Sequence, residues 1–119
     1  MITLYYRYEI EKDNKRVGLL TELSSLNIES HALEKILDYF DKYLPVPMFY
    51  YTNGKNKKKG ASAWFSEFGF EKFKKQLDIA IEFAKEQGYS VILREQPPVG
   101  TKRLIYEDRY QAIIREKNI

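Results

Sequence analysis

The residues best suited to chemistry are few and scattered. The chain has one histidine, His31, and no cysteine. Thiolate chemistry, disulfides and Zn–thiolate sites are therefore excluded, and a transition-metal site lacks soft ligands. His31 follows Ser30 at the start of a predicted helix, where positive charge is disfavoured. A surface position suits it better than a Ser-His-Asp triad. The adjacent carboxylates Glu107 and Asp108 fall at a predicted hairpin end. Acid–base work there needs a second carboxylate delivered by the fold, whereas acidic side chains at a turn ordinarily bond the turn itself. No Walker loop, Gly-x-Gly-x-x-Gly, His-Glu-x-x-His or EF-hand loop is present. No catalytic residue, metal or cofactor is assigned on these grounds.

Binding chemistry is better represented. The stretch Asn53 to Gly60, NGKNKKKG, carries Lys55, Lys57, Lys58 and Lys59; Tyr50 and Tyr51 precede it and Trp64 follows. Read plainly, it is a solvated loop. Read functionally, its lysines contact nucleic-acid phosphates while Tyr51 and Trp64 stack on bases. Ten Tyr, seven Phe and one Trp exceed what a core of this size needs, so some are expected at a recognition surface. The polar face of the first strand offers Tyr5, Arg7 and Glu9. If helices cover only one face of the sheet, Arg94 or Ser90, and Gln111 or Arg115, join them. That face is either a wet surface with weak cross-strand ion pairs or a contact surface with Tyr5 and Arg7 as anchors.

The element that must position most of this is Ser66 to Gln87, SEFGFEKFKKQLDIAIEFAKEQ. Phe70, Phe73, Leu77, Ala80, Ile81 and Ala84 share an arc roughly 100° wide on a helical wheel. Ser66 is the predicted N-cap, and Gly88 stands where a left-handed C-cap residue belongs. Ile79 and Phe83, one turn apart, point away from that arc. Either the chain covers them itself, or they form a contact surface for a second copy or another protein.

Elsewhere, Ile2 to Glu11 alternates as a half-buried strand with Ile2, Leu4, Tyr6, Tyr8 and Ile10 on one side. Asp13-Asn14-Lys15 is turn-like, Arg16 to Leu20 a short return strand, and the SSLNIES stretch loop or irregular helix. His31 to Leu44 is an amphipathic helix ended by Leu44-Pro45. Met48 to Thr52 and Ala61 to Phe65 are extended. Tyr89 to Glu95 is a strand, and Lys102–Tyr106 with Tyr110–Arg115 forms a hairpin. The expected fold is one α+β domain over residues 1–119: a mainly antiparallel sheet of four or five strands, with two amphipathic helices packed on one face.

The 119 residues suffice for a core without disulfides. The formal charge of +3 is uneven. Residues 1–52 hold 6 Lys/Arg against 8 Asp/Glu, and residues 53–119 hold 14 against 9. So small a surplus does not by itself indicate nucleic-acid binding. The N-terminal residues lack the basic and apolar regions of a signal peptide, and no apolar run approaches a membrane span. A soluble cytoplasmic protein is expected.

Four short stretches carry a resemblance: Tyr6-Arg7-Tyr8-Glu9; Leu44-Pro45-Val46-Pro47; Trp64-Phe65-Ser66-Glu67-Phe68-Gly69-Phe70-Glu71-Lys72-Phe73; and Ile105-Tyr106-Glu107-Asp108-Arg109-Tyr110-Gln111. In these, about a quarter of the chain, it resembles small uncharacterised bacterial and phage-type proteins, a resemblance that implies no established activity. Arg7, Ser66 and Glu107 also occur in the chain order of the Arg-Ser-Glu class of ADP-ribosyltransferase-like folds. There the three residues grip NAD and polarise its ribose. The Ser-Thr-Ser run and Glu-x-Glu pair of that class are missing here. The resulting expectation is a small non-catalytic protein-binding module, a mobile-element product that inhibits or adapts a larger protein. Its contacts would be Ile79, Phe83, Tyr5 and Arg7, and its partner another protein or a second copy. Nucleic-acid binding through Lys55–Lys59 is the alternative.

Overall fold

The computed structural model describes residues 3–44 and 61–115. Nine elements follow one another: β1 (Tyr5–Lys12), β2 (Lys15–Gly18), α1 (Leu19–Ser24), α2 (His31–Tyr43), β3 (Ala61–Phe65), α3 (Glu67–Glu86), β4 (Ser90–Gln96), β5 (Leu104–Glu107) and β6 (Gln111–Arg115). The fold is α+β, as the patterning predicts, with every strand pair antiparallel. Among the described residues there are six strands rather than four or five, and three helices rather than two.

The added helix, α1, falls where a return strand and loop were expected. Its six residues, LLTELS, are too few for a helical period to show, yet Leu19 and Leu23 are buried. The added strand is β3, expected only as extended chain. The expected return strand is β2, which closes a hairpin on β1 through Asp13 and Asn14, at φ 52° and 64°. Two successive left-handed residues are what a two-residue hairpin loop requires, and Asp and Asn tolerate them.

In the sheet, β1 has three partners. β4 pairs along one edge from Tyr5 to Glu11. Along the other edge, β2 pairs from Glu9 to Lys12, and β3 joins only at Tyr6 opposite Phe65. β6 and then β5 extend the sheet beyond β3. Among the described residues, Arg7 and Tyr8 therefore face a split between β2 and β3.

The larger core lies on the helix side. Ile10, Leu33, Ile36, Phe40, Phe65, Phe73, Leu77 and Ala80 are all buried there. Tyr6 stacks on Phe70 at 4.5 Å between centroids, and Tyr8 packs beside it, as the alternation in β1 anticipates. Phe83 is also buried, 8 % exposed, in this same cluster. Because α1 and α2 both pack on α3, that helix must be apolar over a wider arc than the sheet alone demands. Ile79 stays outside at 48 % exposure.

Capping of α3 follows the sequence. Ser66 Oγ accepts from the Gly69 amide at 3.0 Å, and Gly88 at φ 90° lets the Tyr89 amide donate back to the Ala84 carbonyl. Gly69 has a further reason to lack a side chain, since a Cβ there would overlap the Tyr110 carbonyl. The turn between β5 and β6 thus sits directly on the first turn of α3.

Candidate functional site

Two clusters combine the residue types that recognition uses. The first lies on the sheet face away from the helices. Antiparallel register sets Arg7 opposite Arg94 and Tyr5 opposite Gln96, and alternation puts Glu9 on the same side. Arg7 Nε donates to Glu9 at 2.8 Å, Arg94 Nη1 donates to the same carboxylate at 3.2 Å, and Arg7 Nη1 donates to the Ala63 carbonyl at 2.9 Å. Glu9 is buried, so the cluster surrounds one carboxylate with two guanidinium groups. Arg94 also lies over the Trp64 ring, 5.4 Å from its centroid, a favourable cation–π placement.

Trp64 itself, 2 % exposed, belongs to a small second core with Tyr5, Ala112 and Ile114, on which Val99 and Leu104 pack. The face read as polar is thus partly a core. Tyr5 is buried and donates through its hydroxyl to Glu107 Oε2 at 2.6 Å. Burial first, and then that bonded carboxylate, push its pKa up to about 12. The register answers one open question: Arg94 joins Arg7 and Glu9, whereas Ser90 stands opposite Glu11. Gln111 pairs with Phe65 and shares its helix-side parity, as does Arg115 opposite Ala61.

The second cluster was missed by sequence reasoning. At the start of α3, Phe68 is 48 % exposed, and the Arg109 guanidinium lies over its ring at 4.4 Å. Tyr110 is 5.7 Å from Phe68, with Arg109 over it at 5.6 Å and Lys72 at 5.9 Å. The geometry comes from the β5–β6 turn. Asp108 Oδ1 accepts from the Tyr110 and Gln111 amides at 2.8 and 3.0 Å, and its Oδ2 accepts from the Tyr106 hydroxyl at 2.8 Å. Ser66 Oγ donates to the Arg109 carbonyl at 2.7 Å. The only hint in the chain was that the aromatic-rich start of α3 and the turn arginine occur at all; their contact spans 41 positions, and no local period encodes it.

The other anticipated residues are dispersed. Ile79 is exposed on α3 while Phe83, one turn on, is inside, so the two do not form a joint patch. Lys55, Lys57, Lys58, Lys59 and Tyr51 lie outside the described residues. Trp64, their proposed stacking partner, has its surface occupied by the second core and Arg94. Arg7, Ser66 and Glu107 each serve separate structural bonds, to Glu9 and Ala63, to Gly69 and Arg109, and to Tyr5. Asp108 performs the turn role. His31 is exposed on the first turn of α2, which Ser30 caps by accepting from the Leu33 amide at 3.2 Å.

Among the described residues no group of three or more His, Cys, Asp or Glu side chains is placed to hold a metal, and no helix is long and apolar enough to cross a membrane. No protein-family model, curated protein or solved structure matches the chain.

Proposed function

We propose that the protein is a non-catalytic binding module that acts by contact with another protein. Its contact surface centres on Phe68, Arg109, Tyr110 and Lys72. The observation that carries this is the Arg109 guanidinium stacked at 4.4 Å on a half-exposed Phe68. Aromatic and arginine side chains dominate interface energetics, and a pair already held in register loses little conformational freedom on binding. Two cations over two rings favour a partner segment that is acidic and apolar. The neighbouring carboxylate Asp108 is turned to the Tyr106 hydroxyl and the Tyr110 and Gln111 amides. Ile79, also exposed but about three turns further along α3, lies outside this surface.

The test is affinity capture from cells with three variants checked for folding by circular dichroism: Phe68→Ser, Arg109→Glu and Ile79→Lys. A partner retained by wild type and Ile79→Lys but lost by the first two supports this surface. Equal retention by all four proteins sinks it.

A further inference from the structure

The split in the sheet opens into a cavity of about 130 Å³. Leu19 and Leu20 at the start of α1, Phe65 on β3, Leu77 on α3 and Ile113 on β6 form apolar walls, and Arg7 lies across the gap left between β2 and β3. A dry cavity of about 150 Å³ with walls of this kind accommodates benzene. The space here fits a body of about six carbons by the same measure.

Arg7 makes this cavity unlike an ordinary packing void. Two of its five N–H donors are engaged, Nε with Glu9 and Nη1 with the Ala63 carbonyl. Nη2 lies against Gly18, where a Cβ would approach it to 2.8 Å. A glycine at that position leaves room for the guanidinium at the cavity wall. Charge is also unbalanced: Arg7 and Arg94 share Glu9, and Arg7 is the more enclosed of the two, with 17 % side-chain exposure against 40 %. An enclosed guanidinium with unspent donors beside an apolar space is matched by a planar anion attached to a hydrocarbon body, since the fork and a carboxylate pair bidentately.

We infer that the cavity at the β2–β3 split is a binding site for a small monocarboxylate with an apolar body of about six carbons, its carboxylate on Arg7 and its hydrocarbon among Leu19, Leu20, Leu77 and Ile113. This site is separate from the Phe68–Arg109 surface, and neither depends on the other.

The probes are benzoate and its neutral counterpart benzyl alcohol, measured by calorimetric titration against the full chain. Benzoate is expected to bind saturably, with benzyl alcohol at least about tenfold weaker for want of the charge-assisted pair. Arg7→Met keeps an unbranched stem but lacks the guanidinium, leaves Glu9 bonded to Arg94, and removes the benzoate preference. Leu20→Phe fills the cavity and abolishes binding of both probes while the melting temperature holds or rises. If Arg7→Met fails to fold, Leu20→Phe and the benzoate-to-alcohol ratio still decide. Equal affinity for the two probes, benzoate binding that survives Leu20→Phe, or no saturable benzoate binding up to about 10 mM overturns the assignment.

Discussion

The carbonyl of Tyr110 occupies the space that a side chain on Gly69 would need. This one close approach locks the β5–β6 turn onto the first turn of α3, and so holds Arg109 above Phe68. Gly69→Ala forces backbone apart rather than a flexible side chain, and overpacking of that kind costs about 1–3 kcal/mol or more. Urea unfolding should show that loss, together with weaker partner capture. Gly100→Ala is the control, with nothing within 4 Å of the added Cβ. Equal stability of the two variants would mean that the turn does not rest on α3.

Phe83 and Ile79 give opposite outcomes although they are one turn apart. Phe83→Ala removes a buried ring, at a cost of about 3–5 kcal/mol. Ile79→Lys replaces a side chain that is 48 % exposed and should shift stability by no more than about 0.5 kcal/mol. Parallel denaturant melts check both, and comparable losses would contradict the placement of α1 and α2 around α3.

Glu22 joins three elements. It is buried on α1 and accepts from Lys12 Nζ of β1 and from the Tyr89 hydroxyl before β4, each at 2.9 Å. Those two bonds hold its carboxyl below the ordinary value of 4.5, against the opposing effect of burial. A depressed carboxyl stabilises the fold above its unfolded pKa and loses that contribution as pH falls through the lower folded value. The stability difference between wild type and Glu22→Gln should therefore be full at neutral pH and shrink in acid. Lys12 and Tyr89 are raised above 10.5 and 10.0 by the same bonds. Their contribution is complete below about pH 10 and is lost as pH rises through the raised values. A difference that stays constant from acid to neutral pH would show that Glu22 is not bonded in this way.

Tyr5 should ionise near pH 12. Glu107→Gln removes the carboxylate but leaves the burial, which is the larger cause. Its pKa should then fall part of the way towards 10. An ultraviolet titration of the two proteins reads this directly; the same curve for both would place Glu107 away from the hydroxyl.

Nucleic-acid binding through Lys55, Lys57, Lys58 and Lys59 makes a different demand. Log affinity for a single strand must fall against log salt by about 0.7 per phosphate neutralised. Affinity that stays flat between low and moderate salt excludes it. Because Trp64 is 2 % exposed, its fluorescence should be unchanged by the strand; strong quenching would show that the ring leaves the second core.

What the sequence determined by itself is local. The alternation of Tyr6, Tyr8 and Ile10, the stripe from Phe70 to Ala84, the Ser30 and Ser66 caps and the left-handed Gly88 are each written within a few residues, because strand and helix periods and caps act over one or two turns. Helix α1 escaped because six residues are too short for a period to emerge. The tertiary structure alone decided which faces meet. It turned Phe83 inward, made a second core of Tyr5 and Trp64, gathered Arg7 and Arg94 around Glu9, and set Arg109 on Phe68. Those pairings depend on strand order and on where β1 changes partners. Such long-range choices are fixed by the packing of the whole chain, and no single stretch of it encodes them.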